Sequence, residues 1–246
     1  MPRNEDFDRI AALAPVVAEH PGWQPFASYL ALRAQGRRPE ALRALGKFLA
    51  IAEKWSFPER QSLLLWIGEE DACAPVRYLR FATLPDKLLV PHPLLLRLVV
   101  PTSSEWLARE PMSARAHFLY AVYAAHAQQD ARPLDHLRTA IQLDPAAQAA
   151  RARFANRIAA FVDHAQHELP RHGYLGSAAE DMRDLQEALE IVAGIDHPAM
   201  RQEFTATLTN MLDIARAWDA FKRSGDGSDF ASWCTRHGGP ASMLEQ

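Results

Sequence analysis

The chain is poor in cysteine, in long apolar runs and in net charge. Two cysteines in 246 residues, Cys73 and Cys234, make no disulfide framework and lack the close spacing of a metal site. A reducing, cytoplasmic setting follows as the expectation. The most apolar stretch, Leu88 to Val100, is interrupted by Pro91, His92, Pro93 and Arg97, well short of the ~20 residues a membrane span needs. The first residues, MPRNEDFDR, carry acids where a secretory signal needs a basic start and an apolar run. A formal net charge of -3 argues against nonspecific nucleic-acid binding by the whole chain. No G-x-S-x-G, phosphate-binding or dinucleotide-binding glycine motif occurs, and no cofactor is implied.

What is present is helix. The chain is 48% hydrophobic and 23% charged, an ordinary globular balance that excludes disorder. No strict alternation of period two supports strands, so an all-α fold is predicted, an irregular stack of antiparallel helical hairpins. Residues 1–70 read as N-terminal hairpins and 71–111 as a proline-rich connection with short helices. Residues 112–246 read as a central hairpin followed by a C-terminal one, continuous with the rest as a single domain.

The helices are punctuated by proline and glycine. Asp6 to Glu19, Trp23 to Gln35 and Pro39 to Lys54 read as the first three, with Gly36 between the last two. Phe26, Tyr29 and Leu30 are expected to face Leu42, Leu45, Phe48 and Leu49. Pro58 opens a helix whose Leu63, Leu64, Trp66 and Ile67 leave little polar face, which suggests a central position. Short helices are expected at Val76 to Thr83 and Pro93 to Val100, with Ser103 or Ser104 capping another through Trp106 to Arg109.

From Met112 the pattern sharpens. MSARAHFLYAVYAAHAQQ forms one helix and PLDHLRTAIQL a second, with Leu134, Leu137, Ala140 and Ile141 as its apolar stripe. Asp144-Pro145 stops that helix, because the residue before proline is pushed out of the helical region. A third helix runs from Ala146 to about Leu169, with Phe154, Ile158, Phe161, Val162 and Ala165 as its buried face. Ala179 to Ala193 and Pro198 to about Arg223 make the last hairpin, joined at Gly194 and closed by Gly225-Asp226-Gly227.

The run HLRTAIQLDP resembles the second helix and terminator of a tetratricopeptide repeat, through Ala121, Leu137, Ala140 and Pro145. It departs at the turn, where Gln128-Gln129 replace glycine, and at Pro133. Gly36, Ala41 and Leu45 resemble a second, degenerate unit. Leu137 and Leu45 are 92 residues apart (137 − 45 = 92), not a multiple of the repeat's about 34, so a regular array is excluded. Pro91 to Trp106 and Gly173 to Gly176 also resemble segments of a group of uncharacterised bacterial proteins. Helical bacterial proteins of this size include immunity proteins that neutralise a toxin.

The repeat resemblance implies a polypeptide ligand along the first helices. His117, Tyr120 and Tyr123 on the central first helix are the candidate contacts, set against tyrosines that are simply core. The loop Pro170 to Ser177 offers a second set, Arg171, His172 and Tyr174, unless Tyr174 and Leu175 only plug a gap. His164, His167 and Glu168 lie at i, i+3 and i+4, with His172 following. They could converge on a metal, or be a solvated helix end favoured by the helix dipole. Neither cysteine sits in a nucleophile motif, although Cys234 is three residues from His237. Protein or peptide binding without catalysis is therefore the expected function. A bacterial immunity protein, or a metal-dependent enzyme using His164 and His167, are its alternatives.

Overall fold

The computed structural model describes residues 14–15, 17–20, 22–72, 93–124, 133–167, 169 and 173–240, leaving aside the side chains of 67–72, 93 and 124. The fold is all-α. The described residues form ten α-helices, one of them extended by a π-helical turn, and no strand. None of these helices is long and apolar enough to cross a membrane. The expected helices at Asp6 to Glu19 and Val76 to Thr83 lie largely or wholly outside the described residues. The described residues fall into two compact units that divide between His136 and Leu137.

The first unit begins with α1 (Gln24–Ala34) and α2 (Arg38–Ala52). Gly36 takes φ 73°, a conformation open to glycine because it lacks a Cβ. That geometry lets the Arg37 N–H donate to the Leu32 carbonyl at 2.9 Å and the Gly36 N–H to that of Arg33 at 3.0 Å, which closes α1 with a Schellman turn. Pro39 then sits in the first turn of α2, where its missing N–H costs nothing. Phe26 stacks on Phe48 with centroids 4.9 Å apart, and Trp66 meets Phe26 edge-on at 6.1 Å. Leu45, Phe48 and Leu49 are buried as the stripe requires, whereas Leu42 stays exposed.

α3 (Phe57–Ala72) precedes α4 (Pro93–Arg109), which joins the two pieces read separately around Pro101. The reason is packing. Leu95, Leu98, Val99, Thr102 and Trp106 form one buried face that continues straight through the proline. An interior proline costs ~3 kcal/mol, but burying the leucines and the tryptophan returns about 1.5–3 kcal/mol for each. Ser103 and Ser104, expected to cap a new helix, turn their hydroxyls back instead, as does Thr102. Thr102 donates to the Leu98 carbonyl at 2.6 Å, and Ser103 and Ser104 donate to that of Val100 at 3.0 and 2.9 Å. α4, rather than α3, is the helix that touches most of this unit: α2, α3, α5 and the π turn pack on it.

α5 (Ala114–Leu119) starts at Ser113, whose side chain accepts from the Ala116 N–H, and passes into the π turn Tyr120–Ala124. α6 (Pro133–Leu143) carries His136 and, in the second unit, buries Leu137 and Ala140.

The second unit is built on α7 (Gln148–His167), which packs against both members of the hairpin α8 (Ala178–Ala193) and α9 (Pro198–Ser224). Phe154, Ile158, Val162 and Ala165 of α7 are buried as expected. Phe161 is not: it stands 58% exposed. It lies three residues from Ile158 and four from Ala165, at the edge of the stripe, and the hairpin covers only the other side. Ser177 caps α8 and Gly225 ends α9 at φ 65°. Asp229 caps the closing helix α10 (Phe230–His237) by accepting from the Ser232 N–H.

Candidate functional site

Of the residues singled out in the sequence, His117 and Tyr120 are brought together, and the third member of their cluster is one that sequence did not mark. His117 and His136 place their Nδ1 atoms 3.0 Å apart, and the Nε2 of His117 lies 2.9 Å from the Pro111 carbonyl oxygen. The Tyr120 ring meets His136 edge-on at 4.6 Å. All three side chains are half-buried, so each shows one side to solvent. The positioning is local on one side and tertiary on the other. The Ser113 cap fixes the start of α5 and holds His117 over the turn at Pro111, while α6 carries His136 up to it.

Tyr123 is corrected by the same geometry. On a regular α-helix it would stand one turn above Tyr120 and share its face. The π turn widens the helix at this point, so positions three apart no longer align. Tyr123 enters the core at 1% exposure and offers nothing to a partner.

The loop after α7 holds Tyr174 as a plug of the second unit. Its hydroxyl donates to Asp181 Oδ2 at 2.6 Å, and its ring stacks on Trp218 with centroids 6.3 Å apart. Gly173 makes this possible: its φ is 82°, and a Cβ there would lie 3.2 Å from the Trp218 ring. Burial, reinforced by the Asp181 carboxylate, pushes the Tyr174 hydroxyl far above the ordinary phenol range. Burial also raises Asp181. Leu175 is anchored by its N–H to the Ala165 carbonyl at 3.1 Å while its side chain stays exposed. Arg171 and His172, the other proposed contacts of this loop, lie outside the described residues.

His164 and His167 are both exposed on α7, and Glu168 lies outside the described residues. Among the described residues no three metal-ligating side chains come together. Cys234 is enclosed, with Gly239 so close that a Cβ there would lie 2.7 Å from the sulfur. Burial raises its thiol, which keeps it in the less nucleophilic protonated form.

Other charged groups among the described residues hold elements of the second unit together. Arg138 donates from Nε and Nη2 to the two oxygens of Glu187, both at 2.7 Å, with its guanidinium 5.3 Å from the Phe154 ring centre. Asp184, one turn before Glu187, is raised by burial. At the α8–α9 turn, Arg151 donates to the carbonyls of Ile191 and Pro145 at 2.9 Å each, and Gln148 holds Gly194 and Asp196.

The His117–Tyr120–His136 cluster brings together two imidazoles and one phenol, all half-buried. The chain matches no family model, no curated protein and no solved structure.

Proposed function

We propose that this chain is a non-catalytic helical scaffold, working in a reducing compartment, that binds another protein or a peptide through the surface around His117, Tyr120 and His136. The observation that carries this reading is the cluster itself. Aromatic side chains that bury large area at little entropic cost are favoured at interfaces, and here one is held edge-on against an imidazole pair at the start of a π turn. π turns inside helices occur frequently at functional sites. The resemblance of the central segment to a peptide-binding repeat points to the same helix.

The test is affinity capture from the native host with the wild-type chain and with Tyr120→Ala, followed by titration of the captured partner against both. A specific partner whose binding is lost in Tyr120→Ala, at unchanged melting temperature, supports the reading. No specific partner, or one that binds the variant equally well, removes it.

A further inference from the structure

We propose that the Asp226-Gly227 link is a latent site of backbone isomerisation, held shut by Ser228 and Arg236 for as long as α10 keeps its place. The chemistry is general to an aspartate followed by glycine. The backbone nitrogen of the next residue attacks the carboxyl carbon and an N–C bond forms. The hydroxyl of the protonated carboxyl leaves as water with the nitrogen's proton. The succinimide ring so formed takes up one water again. Breaking the nitrogen's bond to Cγ restores aspartate. Breaking its bond to the backbone carbonyl carbon leaves isoaspartate, with the chain routed through the side chain and a free α-carboxylate. Nothing is oxidised, and water is the only co-reactant.

Both carboxyl oxygens of Asp226 are engaged. Oδ1 accepts from the Ser228 N–H at 2.8 Å, and Oδ2 accepts from Nη2 of Arg236 at 2.6 Å. The same Nη2 donates to Ser228 Oγ at 2.7 Å. To meet the Gly227 nitrogen, the carboxyl has to rotate out of these bonds. They also favour its charged form: Ser228 foremost, with Arg236 adding to it, holds the carboxyl below the ordinary aspartate range. A charged carboxylate has no hydroxyl to lose.

Arg236 stands in the last turn of α10. Phe230 of the same helix packs against Trp218 and Phe221 of α9, with ring centroids 5.1 and 5.5 Å apart. Docking of α10 therefore brings the guanidinium to Asp226, and undocking takes it away. By contrast, the fold does not call for glycine at 227. Its backbone takes no left-handed φ, and a Cβ there would meet no atom within 4 Å. What the missing Cβ does provide is an unhindered nitrogen. Isomerisation would add one methylene to the chain between α9 and α10 and move the carboxylate off Ser228 and Arg236. It would thus mark a chain whose α10, with the buried Trp233 and Cys234, has been open.

The test is accumulation of isoaspartate at residue 226 in the full chain, aged at neutral pH and read by peptide mapping, against a synthetic peptide of residues 222–230. The wild-type chain should isomerise about tenfold more slowly than the peptide, as two hydrogen bonds to a carboxylate imply. Arg236→Ala should accelerate the chain about three- to fivefold, the worth of a half-exposed ion pair. Gly227→Val should suppress the product in both backgrounds. A wild-type chain that keeps pace with the peptide overturns the inference, as does an Arg236→Ala chain no faster than wild type. Product that persists undiminished in Gly227→Val overturns it too. Should Arg236→Ala lose α10 by circular dichroism, Arg236→Gln, which keeps an N–H and drops the charge, takes its place with the same two outcomes.

Discussion

The hydroxyl of Tyr174 donates to Asp181 at 2.6 Å, joining the loop after α7 to the first turn of α8. A hydrogen bond to a carboxylate that is itself half-buried is worth more than one in water. Tyr174→Phe keeps the ring on Trp218 and removes only this bond. The expected cost is about 1–2 kcal/mol in chemical denaturation. The same contact sets an alkaline limit. The folded chain holds the Tyr174 proton above the ordinary phenol value, so its contribution is complete below ~10 and is lost as pH rises further. Tyr174→Phe should flatten that alkaline loss.

Asp184 contributes in the opposite direction near neutral pH. Burial raises its carboxyl, and Asp181 and Glu187 add to the effect against the pull of Arg138. A carboxyl raised in the folded state binds more protons there than in the unfolded chain, so its charged form opposes folding. Asp184→Asn should raise the melting temperature at pH 7. The gain should vanish on acidification below the unfolded value of ~3.9, which a pair of melting curves at pH 7 and pH 3 would check.

Gly194 and Arg151 are expected to be non-additive. A Cβ at Gly194 would lie 2.6 Å from Nη1 of Arg151. Gly194 has an ordinary φ of -88°, so alanine is objectionable there only because it evicts the guanidinium from its carbonyls. Gly194→Ala should cost about 1–2 kcal/mol. Adding it to Arg151→Ala should cost much less than the sum, because the second change removes what the first displaces.

Two phenylalanines on α7 should behave unlike each other. Phe154 is fully buried, and its change to alanine should cost about 3–5 kcal/mol. Phe161 is exposed, with Arg157 beside its ring at 5.8 Å, and Phe161→Ser should leave stability within about 0.5 kcal/mol. Equal losses from both would show that Phe161 is buried after all.

The helices and their stops could be read in the sequence because their causes act within one turn. Gly36, Pro39, Ser177, Gly194, Pro198 and Gly225 stand where the chain ends or starts a helix, and each does so through its own backbone or its own side chain. In α7 the stripe of Phe154, Ile158, Val162 and Ala165 likewise marked the face that is buried. Other features depend on contacts between distant residues, which no local period encodes. Pro101 stays inside a helix because the buried face on both sides of it outweighs a lost hydrogen bond. Phe161 is left outside because the hairpin covers only one side of α7. Tyr123 goes inward and Tyr120 stays at the surface because a π turn changes the pitch between them. His136, nineteen residues from His117, carries no sequence mark of its role. It becomes the partner of that ring only because α6 returns to the start of α5.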